Sequence, residues 1–181
     1  SSSKRKSMLT LKILASLNQR KITEGIEHLS IEYDCSLTGD INKTKNIEEI
    51  FNKDLVNNYE RELNRGYTIF GPHRDDLIFN INGKDVRKYG SQGQQRTVAL
   101  ALKLAELEYM KSETGEYPVL LLDDVFSELD INRREALLNV IEGNIQTFIT
   151  STEFSDLDSN LFNNTSYKLF KVSKGNITQG G

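Results

Sequence analysis

The chain has 181 residues, 37% of them apolar and 27% charged, with a net charge of −3, which is the composition of an ordinary globular domain with a real core and excludes wholesale disorder. A single cysteine, Cys35, excludes an internal disulfide and a thiolate metal cluster, and two histidines leave little for zinc. No apolar run exceeds the five residues Val98 to Leu102, where a membrane span needs about 20, so a soluble cytoplasmic protein with no membrane partner is expected.

Charge is uneven along the chain. Residues 1–21 carry six Lys/Arg and no acid, whereas 106–160 carry thirteen Asp/Glu against Lys111, Arg133 and Arg134. Between Arg61 and Lys103 eight basic residues face Glu62, Asp75, Asp76 and Asp85, so a phosphate-facing surface belongs there or at the N-terminus, if these are more than solvated faces.

In chain order, Met8 to Gly25 reads as a helix carrying Leu9, Leu11, Ile13, Leu14 and Leu17. Alternation of Leu29, Ile31, Tyr33 and Cys35 with polar neighbours then predicts a half-buried strand. After a polar connection, Gly39 to Lys45, a second helix carries Ile47, Ile50, Phe51, Leu55, Tyr59 and Leu63 up to a glycine cap at Gly66. Residues 1–66 are therefore expected to form a small helical subdomain with one strand, and 67–181 a second unit. In that unit Leu77 to Arg87 reads as a hairpin turning at Asn82-Gly83. A long helix follows from Ser91 to Lys111, then the apolar run Val119 to Leu122, expected to be a parallel strand buried on both faces. Asp130 is placed to cap a helix reaching Ile141, Gln146 to Ser151 is a second buried strand, and Tyr167 to Val172 with a Gly175-Asn176 turn closes as an edge hairpin. Strand, helix, strand implies a right-handed crossover and a parallel sheet, so the class is α/β.

Two constellations carry chemistry. The first is Val119-Leu120-Leu121-Leu122-Asp123-Asp124, which brings two carboxylates to the carboxyl end of a strand, where open α/β sheets bind ligands. Asp at a strand end is also an ordinary turn or cap residue. As a site, Asp123 would hold Mg²⁺ through its water shell, while Asp124, pointing the other way along a period-2 backbone, would orient an attacking water. The second is Gly90-Ser91-Gln92-Gly93-Gln94-Gln95-Arg96 at the start of the long helix. Ser91 with Gln94 makes a capping box, sufficient reason for both residues. Free N–H groups, a hydroxyl and a glycine at the positive end of a helix also make an anion site. The 32 residues from Ser91 to Asp123 accommodate one helix, a turn and a strand, so both features are expected at one sheet edge.

Ser91-Gln92-Gly93-Gln94 resembles the signature motif of ATP-binding-cassette ATPases, and Leu120 to Asp130, LLLDDVFSELD, resembles their Walker B strand and D-loop. Together with GPHRDD at Gly71 to Asp76 and YGSQGQQRT at Tyr89 to Thr97, they resemble the RecF family, relatives of SMC-protein heads. The resemblance spans about 66–152 and is loose over 1–65. It implies the C-terminal part of an ABC/SMC-like ATPase head, in which two heads close around two ATP molecules, each held by the P-loop of one head and the signature of the other. On that pattern Ser91, Gln92, Gly93 and Gln94 would bind ATP across a homodimer, Asp123 would support Mg²⁺, and Asp124 would be the catalytic residue. Ser127 and Asp130 would be D-loop residues, and Thr150 and Ser151 would stand where relatives have a switch histidine. The family's partners would be double-stranded and gapped or single-stranded junction DNA and RecR-like and RecO-like mediators, with roles in DNA repair, replication, recombination and the SOS response.

The chain departs from the pattern in three ways. It contains no GxxxxGK[ST] P-loop, so it is expected to be part of a longer parent, beginning inside an inserted subdomain, and not to hydrolyse ATP alone even where the parent is a slow DNA-dependent ATPase. Asp124 replaces the commoner Glu, a shorter reach that fits slow turnover. Thr150-Ser151-Thr152 replaces the switch histidine. For DNA contact the candidates are Arg74, Arg87 and Lys88, with the Lys4-Arg5-Lys6 cluster; His73 and Arg74 in GPHRDD equally suit an internal salt-bridged turn. Cys35 reads as a strand residue and His28 as a surface one. The alternatives are another cassette ATPase, a transporter subunit or an SMC head, though residues 1–65 hold no long heptads, and a binding module without catalysis.

Overall fold

The computed structural model describes residues 2–37, 47–127, 129–141, 145–152 and 167–180. The predicted polar connection Gly39 to Lys45 falls outside them, as do the side chains of Lys4 and Arg5. The architecture is α/β, in the order α1 (Ser2–Ile22), β1 (Leu29–Asp34), α2 (Ile47–Arg65), β2 (Asp76–Ile81), β3 (Lys84–Asp85), α3 (Val86–Tyr89), α4 (Gln92–Thr114), β4 (Leu120–Asp123), α5 (Ile131–Ile141), β5 (Thr147–Thr150), β6 (Phe170–Ser173) and β7 (Asn176–Gln179).

Among the described residues the strands form three sheets: antiparallel β1-β2-β3, parallel β4-β5, and the β6-β7 hairpin. Asn82 and Gly83 turn β2 into β3 with φ of 50° and 79°, the doubly positive geometry that Asn-Gly adopts most readily. The second strand of that hairpin is shorter than the predicted run to Arg87, because Asp85 caps a helical turn instead, its carboxylate accepting from the backbone N–H of Arg87 and Lys88 at 2.8 and 3.3 Å. The last hairpin turns one residue earlier than expected, at Lys174-Gly175, with Ser173 opposite Asn176.

Helix α4 joins two apolar cores. Leu100, Ala101, Leu104 and Leu107 face one, shared with Ile22, Leu120, Leu122, Phe126 and the α5 residues Leu137, Leu138 and Ile141. Val98 and Ala105 face the other, with Ala15, Leu29, Ile31, Ile81 and Val86. Packing therefore crosses the expected boundary at residue 66: β1 pairs with β2 from Leu29↔Ile81 to Asp34↔Asp76, and α1 lies along α4.

The outer face of α1 is partly apolar, and the burial expected of β4 fails. On α1 the stripe Leu9, Ile13, Leu17 is 60%, 53% and 47% exposed. The inward face holds Ala15, Asn18, Gln19 and Ile22, with Leu11 and Leu14 packed beside them; Gln19 Nε2 donates to Glu27, while Gln19 Oε1 is buried with no partner among the described residues. Strand β4 is not buried on both faces: Leu120 and Leu122 point into the core while Leu121 is 71% exposed, and on β5 Phe148 is 53% exposed. The pair has helices against one face, and residue alternation sends every second side chain to the other.

Candidate nucleotide site

The signature-like segment starts α4 as its pattern requires. Ser91 is the N-cap: its hydroxyl accepts from Gln94 N–H at 3.2 Å, and the Gln94 amide oxygen accepts from Ser91 N–H at 3.0 Å. Ser91 and Gln92 are exposed, and Gly93 and Gln94 half-buried, so the first turn of a 23-residue helix, with its unpaired N–H groups and positive dipole end, opens to the surroundings. Gly90 precedes it in tight quarters, since a Cβ there would stand 2.5 Å from the Val86 carbonyl oxygen. Beside it Ile81, Asn82, Lys84, Val86, Tyr89 and Gln94 line a cleft of about 230 Å³.

The carboxylate pair is held by Thr150. Parallel pairing sets Asp123 opposite Thr150, whose hydroxyl donates a short hydrogen bond to Asp123 Oδ1 and accepts from the Asp124 N–H at 3.1 Å. That N–H also reaches the Thr150 carbonyl at 3.2 Å. Asp124 has φ of 48°, a left-handed conformation that Asp tolerates better than most residues. The chain thus leaves regular strand geometry at this residue. Asp124 Oδ1 is buried with no hydrogen-bond partner among the described residues, an unsatisfied acceptor of the kind a ligand or cation completes. Mg²⁺ fits this site: one hard carboxylate oxygen from Asp123 suffices where phosphate and water supply the rest. No group of three or more His, Cys, Asp or Glu that would cage a metal by itself occurs among the described residues.

The D-loop candidates follow directly. Ser127 Oγ donates to the Asp124 carbonyl at 2.9 Å, and Asp130 caps α5 by accepting from Arg133 N–H at 3.0 Å. Ser151 is half-buried beyond Thr150. The expectation that Ser91 and Asp123 share one sheet edge is corrected, because Ser91 follows the antiparallel sheet and Asp123 ends a strand of the separate parallel pair. What bridges them is α4 itself and a buried polar cluster at its start. There Glu27 Oε1 accepts from Gln94 Nε2 at 3.1 Å and from Arg133 Nη2 at 2.8 Å. Glu27 and Arg133 were not legible as site residues, since neither lies in a motif and their meeting depends on the packing of α1, α4 and α5.

Among the cations considered for DNA contact, Arg74, Arg87 and Lys88 are engaged within the chain. Arg87 pairs with Asp76 at 2.7 Å, which holds the Asp76 carboxyl below the usual carboxylate range and raises the guanidinium. Lys88 lies 3.5 Å from Asp85. Arg74 stacks on Tyr67, 4.9 Å from the ring centre, and donates to the Thr68 carbonyl, while His73 Nε2 lies 2.7 Å from Thr68 Oγ1. In the same loop Asp75 takes bonds from Ser36 N–H and Ser36 Oγ, both at 2.8 Å, and a short one from Tyr33 OH. The GPHRDD segment is thus an internally bonded turn clasped to the end of β1. His28 is exposed, as read from the sequence, whereas Cys35, expected as a buried strand residue, is half-buried and lies one residue past the end of β1; no helix among the described residues is long and apolar enough to cross a membrane.

Comparison with known proteins bears out the resemblance to RecF over nearly the whole chain. No family model matches. The chain is 58% identical over 172 residues to the DNA replication and repair protein RecF of Halothermothrix orenii, covering 93% of this chain and 45% of that protein. It is 45% identical over 172 residues to the RecF of Natranaerobius thermophilus, covering 91% and 44%. A solved structure of the recombination mediator RecF with ATP, from the RecFOR pathway, superposes with a TM-score of 0.73 at 34% identity, over 99% of this chain and 46% of that one. The match lies in the C-terminal half of RecF, and the chain spans less than half the length of the relatives it matches.

Proposed function

We propose that this chain is the C-terminal half of a RecF-like ATPase head and supplies one side of a composite ATP site. In this reading the parent closes as a homodimer on DNA when ATP binds, opens after slow hydrolysis, and aids recombinase loading at gaps together with RecR-like and RecO-like mediators. The observation that carries it is the open, capped N-terminus of α4, with Ser91 and Gln92 exposed and the Gln94 amide fixed, in a chain similar to a RecF solved with ATP. Ser91, Gln92, Gly93 and Gln94 would meet the γ-phosphate of the nucleotide held by the partner head, with Ser127 and Asp130 at the same seam. On the chain's own side, Asp123, steadied by the Thr150 hydroxyl, would hold Mg²⁺, and Asp124 would hold the attacking water. Bound Mg²⁺ would neutralise phosphate charge; the carboxylates would orient metal and water, with Asp123 held by the Thr150 hydroxyl.

Sedimentation of the parent with and without ATP, for the native chain and Ser91→Arg, tests this. The native protein is expected to dimerise with ATP. Ser91→Arg, whose bulk fills the space of the contact, is expected to remain monomeric. An ATP-independent monomer, or a variant that dimerises like the native chain, would return Ser91 to being a helix cap. DNA retention by the dimer should fall as salt rises, because phosphate contacts release counterions.

A further inference from the structure

Glu27 lies in the turn between α1 and β1, outside every motif, and is 5% exposed. A buried carboxylate contributes little to stability that a well-packed apolar residue would not, so its partners are informative. Its Oε2 accepts from Gln19 Nε2 at 2.6 Å, while Oε1 takes both Arg133 Nη2 at 2.8 Å and Gln94 Nε2 at 3.1 Å. Arg133 is itself held at three points: Nη2 on Glu27, Nη1 on Thr97 Oγ1 at 2.8 Å, and Nε 3.4 Å from Asp130 Oδ2. The Gln94 amide is consequently fixed at both ends, its oxygen on Ser91 N–H and its nitrogen on Glu27. A capping box alone would fix the first end only.

We propose that Glu27 and Arg133 are positioning residues for the composite ATP site, their buried ion pair locking the signature segment at Ser91–Gln94 and the D-loop end at Asp130 into one unit that meets the partner head together. This rests on the reading of Ser91–Gln94 as the partner-facing signature. The planar guanidinium suits the task, since its fork reaches Glu27, Thr97 and Asp130 at once, which a lysine ammonium on its flexible stem does not. Neither residue touches the nucleotide; both act through Gln94 and Asp130.

The test is ATP-linked dimerisation of the full-length parent, with thermal melting of the same samples. Glu27→Gln keeps the shape and removes the charge. It is expected to weaken the dimer roughly tenfold or more, the scale of one charge-assisted hydrogen bond, at a temperature where the variant is fully folded. In a Gln94→Ala background the same substitution is expected to weaken the dimer by clearly less than it does alone while still lowering the melting temperature, the coupling expected of residues acting partly through one another. Native dimerisation in folded Glu27→Gln, or losses that simply multiply in the double variant, overturns the positioning role. Arg133→Lys, which retains the buried cation, answers the same question if Glu27→Gln does not fold: the same loss is expected, and a native dimer overturns the proposal. Ser91→Arg separates the two levels. If it dimerises normally, the signature reading falls and this proposal with it; if only Ser91→Arg is monomeric, the signature stands and the positioning role fails.

Discussion

On the proposed reading Ser91 both caps α4 and would meet phosphate across a dimer seam, and Ser91→Asp pulls the two apart. As N-cap it accepts from Gln94 N–H at 3.2 Å, and Asp caps a helix as well as Ser does, while its charge gains about 0.3–1 kcal/mol at the positive helix end. Ser91→Ala removes the cap and costs about 1 kcal/mol. Stability should therefore rank Asp at or above Ser, and Ser above Ala. Across a dimer seam the order is different. Alanine loses a hydrogen bond to phosphate worth about 1.5–3 kcal/mol. Aspartate loses that bond and also sets a carboxylate against the γ-phosphate. For two unit charges about 4 Å apart at an effective dielectric near 20, repulsion adds about 4 kcal/mol per site, roughly a thousandfold in affinity. ATP-linked dimerisation should rank Ser above Ala above Asp, so the two orders cross at aspartate. Urea denaturation gives the first ranking, and sedimentation with a non-hydrolysed ATP analogue gives the second. A Ser91→Asp parent that dimerises like the native chain, or dimer affinities that merely follow stability, would refute the trans contact.

Two further outcomes are expected. The clasp between Tyr33 and Asp75 makes stability pH-dependent on both flanks. The Tyr33 hydroxyl, bonded to Asp75, is pushed up from 10.0 to about 12; the folded state holds that proton more tightly, so the contribution is complete below pH 10 and lost as pH rises toward 12. A difference of that size corresponds to about 2.7 kcal/mol, and with Tyr33 42% exposed screening leaves about 1 kcal/mol. For Asp75 burial raises the carboxyl, but the bonds from Ser36 and Tyr33 together lower it below 3.8, so that contribution is present above 3.8 and fades as pH falls through the lowered value. Urea midpoints of Tyr33→Phe should lose the alkaline slope between pH 10 and 12; an unchanged slope would exclude the clasp as its source. Separately, Gly90→Ala should destabilise by about 1–3 kcal/mol, because the new methyl would lie 2.5 Å from the Val86 carbonyl oxygen and 2.9 Å from Val86 Cγ1. A neutral urea midpoint would mean that the α3–α4 junction yields more easily than its packing implies.

Most element types were legible because their signals are local. Asn82-Gly83 dictates a hairpin, Ser91 with Gln94 starts a helix, and Asp130 starts another. Faces were less so. Leu9, Ile13 and Leu17 follow the helical period but lie outward, while Asn18 and Gln19 lie inward, since a buried amide depends on partners that only the fold brings near. Arg87 reads as a strand end from its neighbours' alternation, yet the Asp85 carboxylate captures two N–H groups and winds Val86 to Tyr89 into a turn. Motif residues carried their positions with them. Glu27 and Arg133 carried none: 106 positions separate them, and no spacing rule connects two residues whose meeting is set by three packed helices.

The carboxylate pair shows why a motif is not yet a site. Strand alternation would send the side chains of Asp123 and Asp124 to opposite faces of β4. The chain leaves regular strand geometry at Asp124, whose φ is 48°, a left-handed conformation that single Asp residues tolerate. Such a backbone persists only where neighbours over-determine it. Here the neighbour is Thr150, whose hydroxyl and carbonyl both receive the Asp124 N–H while the same hydroxyl holds Asp123. Thr150 reads from the sequence as a stand-in for a switch histidine. In the structure its hydroxyl ties the Asp123 carboxylate to the backbone N–H of Asp124.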